Sequence, residues 1–285
     1  MLWLVSCAIF TFMIRSLRFI TDGPCTARFN MAADLYLMER CSVEETLFVR
    51  LYSWGPSAVT IGSLQRAEKQ LDMPMLVRDN VDWIRRPTGG RAVLHDDDLT
   101  YSCIFPANMV AMGRSVADTY GRISHCLTAA LSLAGINAQL QQSASPLIKC
   151  GRDVRLPCFL APNRNEIMVQ GRKLVGSAQY RTTSAVLQHG SLPFGVAYRR
   201  LPYYLPLSEE ERSLQYGLLE KKSICLLEIA PQLSMEELCA TLIKGFRETL
   251  SPYEWYEEGW SDGERTQIDA VMESERFGRC LRDDP

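Results

Sequence analysis

Three strand-like runs in close succession most constrain the fold of this 285-residue chain. Residues 166–170, 173–179 and 185–192 are rich in apolar and β-branched side chains, and Gly171 and Arg172 provide a turn between the first two runs. Further strands are predicted over residues 46–54 and 58–62, and at 99–105. Strands joined by short turns pair antiparallel, so these runs predict a sheet that is at least partly antiparallel.

Helical patterns interrupt the strands without a regular strand–helix–strand alternation. The clearest spans residues 115–134, where apolar side chains recur every three or four positions, Ser115 and Asp118 form a capping signal, and Gly135 ends the helix. Others are predicted after an Asn30 cap, from Ser234 to about residue 250, and over residues 265–277. The mixture favours an α+β fold of mixed or antiparallel sheets flanked by helices.

Composition excludes several classes of protein. Apolar residues make up 47 % of the chain and charged residues 22 %, which supports a sizeable core, and the net charge of −2 favours neither nucleic acid nor an anionic membrane as a partner. The ten cysteines include no C-x-x-C pair and no cluster with zinc spacing, so we expect no metal site and a reducing, cytoplasmic location. Residues 1–16 are expected to be an apolar extension, with Met13 as a plausible start, before a single domain over 17–285 with a helical C-terminal part.

The stretch R-R-P-T-G-G-R-A-V-L-H-D, residues 85–96, is the first candidate for a functional loop. Adjacent glycines at 89 and 90 allow backbone amides to approach a ligand closely, and arginines at 85, 86 and 91 suit carboxylate or phosphate partners. An ordinary turn with a solvated basic flank explains the same residues equally well. The stretch lacks the G-K-[ST] of a P-loop and the G-x-G-x-x-G of a dinucleotide site.

The second candidate segment contains Cys158 and Lys173. Cys158 follows Pro157 and has basic residues nearby in sequence, at 155, 164 and 172, which favour a reactive thiolate. Lys173 follows a turn and could donate to an oxyanion or relay a proton, while the G-S-A run at 176–178 leaves room for a narrow acyl chain. Taken singly, a structural cysteine and a solvated lysine are the more common interpretations.

Together the ordered segments R-R-x-x-G-G-x-x-V-x-H-D, C-F-x-A-P-x-x-x-E, G-R-K-x-x-G-S-A-Q and H-G-S-L resemble the lipoate–protein ligase and octanoyltransferase family. The resemblance implies a biotin/lipoate protein ligase-like catalytic domain. Arg91 and Cys158 are similar to the cysteine-dependent octanoyltransferase branch, which implies Cys158 as nucleophile and Lys173 as the residue at the acyl carbonyl. The residues implied to line the substrate pocket are Arg86, Gly89, Gly90, Arg91, His95, Gly176, Ser177, Ala178 and His189.

The resemblance also implies a reaction. We expect transfer of octanoyl from octanoyl–acyl carrier protein, through acyl-Cys158, to a lysine of a lipoyl domain or the glycine-cleavage H protein in lipoate biosynthesis, with no cofactor. One alternative is a lipoate–protein ligase that uses ATP and Mg²⁺, and another is an amidotransferase that moves octanoyl between lipoyl-carrier proteins. A non-catalytic acyl-binding protein on the same fold is the interpretation from a different class.

Overall fold

The computed structural model describes residues 16–141, 157–160, 166–274 and 277–278, and it does not describe the side chain of Cys158. Residues 1–15 of the predicted N-terminal extension, and the basic residues Arg155 and Arg164, lie outside the described residues, whereas Ser16 already begins the first strand. The strands are β1 Ser16–Cys25, β2 Thr46–Trp54, β3 Ala58–Ile61, β4 Asp82–Arg85, β5 Val93–His95, β6 Asp98–Pro106, β7 Gln139–Gln141, β8 Glu166–Val169, β9 Arg172–Arg181, β10 Ala185–Pro193 and β11 Glu254–Glu257. The α-helices are α1 Ala27–Glu44, α2 Ala67–Gln70, α3 Met73–Arg78, α4 Val116–Leu133, α5 Glu209–Lys222, α6 Leu226–Ile229, α7 Met235–Thr249 and α8 Asp262–Glu273.

A large mixed sheet with the strand order β11-β1-β2-β6-β10-β9-β8-β7 organises the molecule, and a small sheet with the order β4-β3-β5 packs beside it. In the large sheet, strand β1 pairs parallel with β2 and with β11, whereas every other neighbouring pair is antiparallel. In the small sheet, β3 pairs parallel with β4 and antiparallel with β5. Helices cover the large sheet on both sides, which confirms the predicted α+β class. Among the helices of the described residues, none combines the length and hydropathy needed to cross a bilayer.

The register of β2, β6, β10 and β9 gives the large sheet two faces of different character. Residues directly opposite each other in antiparallel strands point to the same face, and successive residues point to opposite faces. The core face carries Leu51, Tyr101 and Cys103, which pack in one cluster with buried residues of α4 and α7. The pocket face carries Thr100 and Ser191 and lies against α1 and the small sheet.

Local predictions for the strands and helices were largely confirmed, with three differences. Helix α8 spans Asp262–Glu273 rather than the predicted residues 265–277, because the Ser261 hydroxyl caps it. The turn between β8 and β9 is formed by Gln170 and Gly171, both with positive φ, so Arg172 already belongs to the strand. Helix α1 begins at Ala27 because the Thr26 hydroxyl accepts from the Phe29 amide, and the predicted Asn30 cap is wrong. Asn30 is instead buried inside the helix, where its amide nitrogen donates to the Cys25 and Ser53 carbonyls.

Capping explains why the predicted helices α4 and α7 begin where they do. In α4 the Ser115 hydroxyl accepts from the Asp118 amide while the Asp118 carboxylate accepts from the Ser115 amide, and Ser234 with Glu237 repeats this reciprocal pair in α7. Gly135, with a φ of 74°, follows the end of α4 as predicted. The apolar residues of both helices pack on the core face of the large sheet.

Candidate active site

A pocket with an empty volume of about 370 Å³, part of it open to solvent, lies between the pocket face of the large sheet, α1 and the small sheet. Strands β2, β6, β9 and β10 form its base, Met31 of α1 contributes from one side, and the small sheet with the loop after β4 contributes the opposite wall. Its lining consists of Met31, Tyr52, Trp54, Thr60, Arg86, Val93, His95, Thr100, Gly176, Ser177, Ala178, His189, Gly190 and Ser191.

Small side chains on β9 and β10 create the space in the pocket. Gly176 pairs with Ser191 and Ala178 with His189 on the pocket face, whereas Ser177 points its hydroxyl to the Tyr101 hydroxyl, 2.8 Å away on the core face. A Cβ added at Gly190 would lie 2.7 Å from the Gly176 carbonyl oxygen, so this close approach requires glycine. The wall of the pocket along β9 therefore consists of Gly176, Ala178 and the backbone of Ser177.

The arginine and glycine loop between β4 and β5 is held together by Arg86. This buried guanidinium donates to the Gly89 carbonyl at 2.9 Å and to the Arg91 carbonyl at 2.8 Å. Gly90, with a φ of 100°, and Gly62 approach each other so closely that a Cβ at Gly62 would lie 2.2 Å from the Gly90 carbonyl oxygen. Arg86 thus lines the pocket, while Gly89, Gly90 and Arg91 form the loop behind it.

His189 on β10 links this loop to helix α1. Its Nε2 lies 2.7 Å from the Thr88 hydroxyl and its Nδ1 lies 3.3 Å from Oδ2 of the fully buried Asp34. Burial lowers the pKa of His189 and outweighs the opposing effect of the Asp34 carboxylate. Burial works against ionisation of Asp34, yet the bond from His189 and the charge of Arg50 hold the pKa of that carboxyl below its usual range.

His95 on β5 makes, in the small sheet, the same kinds of hydrogen bond as His189: one to an aspartate and one to a threonine. Its Nδ1 lies 3.0 Å from Asp98 Oδ2 and its Nε2 lies 2.9 Å from the Thr60 hydroxyl. The Trp54 ring stacks on the imidazole with centroids 4.0 Å apart and an interplanar angle of 17°. The indole nitrogen of Trp54 donates to the Thr100 hydroxyl at 2.8 Å, so the stacked ring is itself oriented by the large sheet.

Lys173 lies at the start of β9, outside the pocket lining but on the strand that supplies Gly176. Its side chain is 5 % exposed, and its ammonium donates to Glu166 Oε1 at 2.7 Å. The same nitrogen lies 5.7 Å from the centroid of the Phe159 ring. A cation that is buried, oriented by a carboxylate and packed under an aromatic ring has a defined position, unlike a solvated turn lysine.

Residues 158–160 form a short 3-10 helix beside the pocket. The Phe159 ring packs over Gly176, where an added Cβ would lie 3.4 Å from its Cζ, and Phe159 and Leu160 cluster with the pocket residue Val93. The residue after Cys158 therefore contacts both the strand that forms the pocket and the neighbourhood of Lys173. The Cys158 thiol itself lies outside the described atoms.

The polar residues of this site that are absent from the predicted set include Asp34, Thr60, Thr88, Asp98 and Glu166. Asp34 carried a signal, because a carboxylate within the apolar run M-A-A-D-L-Y-L must be paired if that helix is buried. Glu166 is the last residue of the cysteine segment and its pairing depends on the β8–β9 hairpin. Within the described parts of the chain, no group of three or more His, Cys, Asp or Glu side chains could hold a metal ion.

The fold places a pocket with small side chains on one wall near a buried lysine, and the comparisons identify the class of protein. A family model described as the lipoyl protein ligase A/B catalytic domain matches residues 26–247. This match covers most of the chain, and the chain belongs to this family.

Two sets of known proteins illustrate the relationship. An octanoyltransferase LipM of Geobacillus kaustophilus is 35 % identical over 244 residues, which cover 82 % of this chain and 86 % of the relative. A second, of Exiguobacterium sibiricum, is 34 % identical over 89 % of this chain and 95 % of the relative. Together with the family match, these relatives identify the chain as an acyltransferase. The solved structure of a bi-partite lipoate protein ligase from Thermoplasma acidophilum shares the fold, with a TM-score of 0.75 and 20 % identity over 96 % of this chain and 99 % of the other.

Proposed function

We propose that this chain transfers octanoyl from octanoyl–acyl carrier protein to a lysine of a lipoyl domain or glycine-cleavage H protein, through an acyl-Cys158 thioester. The observation that carries the proposal is the position of Phe159, which packs on Gly176 in the pocket wall and lies 5.7 Å from the Lys173 ammonium. Because Phe159 directly follows Cys158, this contact supports Cys158 as the nucleophile beside the pocket and the buried cation. The relatives named as octanoyltransferases support octanoyl as the acyl group.

The first half-reaction breaks one thioester and forms another. The Cys158 thiolate attacks the carbonyl carbon of the donor thioester, and the tetrahedral oxyanion that forms is stabilised by the Lys173 ammonium. When the carbonyl re-forms, the pantetheine sulfur leaves as a thiolate and takes a proton. The buried Glu166 carboxylate, 2.7 Å from the Lys173 nitrogen, keeps that ammonium in place while the acyl tail lies in the pocket.

The second half-reaction forms the amide. The neutral amine of the acceptor lysine attacks the acyl-Cys158 carbonyl, Cys158 leaves as a thiolate, and the proton lost from the nitrogen passes to solvent. Because a thioester is replaced by a thioester and then by an amide, the sequence needs no ATP and no metal. The solved lipoate–protein ligases share the fold at about 20 % identity, so ATP-dependent ligation is an outcome that the experiment must distinguish.

The test is the intact mass of the full chain after mixing with octanoyl–acyl carrier protein in the absence of ATP. We expect one octanoyl adduct on the wild-type chain and on Cys25→Ser, a half-buried cysteine control, and none on Cys158→Ala. Adding a lipoyl domain should remove the adduct from the enzyme and place it on the domain's lysine. An adduct that persists in Cys158→Ala contradicts the proposal.

Parallel reactions separate the alternatives. Release of pyrophosphate with free octanoate or lipoate and ATP would indicate a ligase, and an adduct formed from octanoyl–H protein but not from octanoyl–acyl carrier protein would indicate an amidotransferase. Lys173→Met should slow adduct formation by roughly a hundredfold or more, the cost of losing one oxyanion donor. Lys244→Met, on the exposed surface of α7, is the control and should react at the wild-type rate.

A further inference from the structure

Two chains of hydrogen bonds with the same chemistry converge on Arg86. In the first, Asp34 Oδ2 is 3.3 Å from His189 Nδ1, His189 Nε2 is 2.7 Å from the Thr88 hydroxyl, and that hydroxyl is 3.1 Å from Arg86 Nε. Each of these residues is buried. This series of hydrogen bonds therefore runs without a break from helix α1, across β10, to the loop after β4.

The second chain approaches the same guanidinium from the small sheet. Asp98 Oδ2 is 3.0 Å from His95 Nδ1, His95 Nε2 is 2.9 Å from the Thr60 hydroxyl, and that hydroxyl is 3.1 Å from Arg86 Nη1. Asp98, the first residue of β6 in the large sheet, also accepts from the Ser191 hydroxyl of the neighbouring strand β10 at 2.6 Å. Both relays thus have the order Asp, His, Thr, Arg.

The positions of the protons follow from what each group can donate. A carboxylate only accepts, so each histidine presents its Nδ1–H to its aspartate. Burial lowers the pKa of His189 and so favours the neutral imidazole, whose Nε2 accepts from the Thr88 hydroxyl 2.7 Å away. The oxygen of Thr88 is then oriented to accept from Arg86, whose guanidinium has no acceptor of its own.

We propose that Thr60 and Thr88 are positioning residues, which couple two histidines in the Nδ1–H tautomer to Arg86 and so fix the wall of the acyl pocket. Arg86 holds the carbonyls of Gly89 and Arg91, so the orientation of one guanidinium determines the shape of the whole loop. The effect on catalysis rests on the acyl transfer proposed above, but the tautomers and the hydrogen bonds do not.

The charged groups around His189 make this arrangement sensitive to acid. Asp34 of α1 faces the Nδ1 of His189, and Arg50 of β2 donates to the other oxygen of the same carboxylate. Arg86 and His95 face His189 from the side of the small sheet. Tyr52 of β2 also donates to Asp34, at 3.1 Å. Protonation of His189 would place a second cation beside Arg86 and would turn Nε2 into a donor, so the Thr88 hydroxyl could no longer donate to it.

The chain contains three histidines, which allows each imidazole to be observed directly. Nitrogen-15 NMR of histidine-labelled full-length protein at pH 7.5 should show His95 and His189 as Nδ1–H tautomers. His125, exposed on α4, is the internal control and should show the tautomer mixture of a solvated imidazole. An Nε2–H tautomer at His95 or at His189 would overturn the proposal whether or not the chain transfers octanoyl.

The second measurement compares Thr88→Val with Thr88→Ser. Valine removes the hydroxyl that favours the neutral imidazole, so the acid limb of kcat/KM should move to higher pH and kcat/KM at pH 7.5 should fall about tenfold. Serine keeps the hydroxyl and should restore both. An unchanged pH profile in Thr88→Val contradicts coupling through this threonine.

A second pair covers the case in which Thr88→Val is too unstable to assay. Thr60→Val and Thr60→Ser interrupt and preserve the other relay, and the nitrogen-15 shift of His95 Nε2 reports in each, without any substrate, whether that nitrogen accepts a hydrogen bond. A downfield shift of Nε2 in the valine variant alone, with Nδ1 still protonated against Asp98, supports the relay, and an unchanged Nε2 shift contradicts it. The absence of an octanoyl adduct on the wild-type chain, with both tautomers as expected, would reject the proposed function while leaving the relay intact.

Discussion

The two faces of the large sheet are built from the same strands but serve different purposes. On β6, Tyr101 and Cys103 belong to the apolar cluster that packs under α4 and α7. The alternate residues Thr100 and Ser102 face the pocket side, where Ser102 donates to Asp34 at 2.9 Å and Thr100 lines the cavity. One continuous run of buried residues, read in alternation, therefore supplies a core and a binding site.

The two faces differ in the free energy of burying their side chains. The core face gains stability from apolar area removed from water, which depends little on direction. The pocket face buries Arg50, Asp34 and Arg86, each of which costs free energy unless its hydrogen bonds are satisfied in a particular geometry. Substitutions on the core face should therefore change mainly stability, and those on the pocket face should change activity as well.

Removing the charge of Asp34 should have the largest effect. Asp34→Asn removes the charge that pairs with the fully buried Arg50. It also replaces one of two accepting oxygens by an amide NH2, which would face donors, because the carboxylate accepts from Arg50 and Ser102 at one oxygen and from Tyr52 and His189 at the other. We expect the free energy of unfolding to fall by about 3–5 kcal/mol and acyl transfer to fall with it. Urea denaturation of this variant and of Asp269→Asn, an exposed control on α8, measures the difference. A loss below 1 kcal/mol would mean that the charge is not structurally required.

On the core face, Leu127→Ala should destabilise the protein without affecting the site. Leu127 of α4 is fully buried in the core cluster, so its truncation should lower the free energy of unfolding by about 3 kcal/mol. Leu133→Ala, on the same helix with Leu133 42 % exposed, is the matched control and should change it little. The kcat/KM of the folded fraction should equal that of the wild type. A large loss of kcat/KM below the unfolding temperature would contradict the separation of the two faces.

Filling the pocket face should do the opposite. Ala178→Leu adds side-chain volume to the pocket wall opposite His189, so octanoyl transfer should fall roughly a hundredfold through lost acyl binding. A butanoyl donor, which needs a shorter slot, should be much less affected. Ala178→Gly serves as the control that removes volume instead. Equal losses with the two donors would show that the acyl tail does not lie along β9.

The elements that could be predicted from sequence are those whose signals are local. Strand β2 has the predicted bounds, and the capping pairs at Ser115 and Ser234 placed α4 and α7 correctly, because a cap depends on residues only three positions apart. The pairing of β1 with β11 was not predicted, because a parallel contact between residues about 240 positions apart leaves no local signal.

The same distinction applies to the site. The contiguous motifs identified Arg86, His95 and His189, and all three line one pocket. Their aspartates were harder to identify: Asp98 is one of three successive aspartates, and only the fold shows that it, and not Asp97, accepts from His95. Thr60 and Thr88 gave no signal, because a threonine's role as a connector depends on which hydroxyls two sheets bring together.

The smallest predicted effect concerns how the pocket face responds to acid. The pKa of His189 is lowered by burial, so the unfolded chain takes up the proton first, and stability is lost as the pH falls from about 6.5 through the folded-state pKa. The loss is at most about 1.4 kcal/mol per pH unit for one group. Asp34, whose pKa is also lowered, adds a further loss only below about pH 3.9.

Urea midpoints between pH 7.5 and 5 should therefore decline in the wild type and in His125→Gln, the exposed control, but decline less steeply in His189→Gln. The same slope in all three proteins would place the titrating group elsewhere and would remove the acid sensitivity that distinguishes this face from the core face.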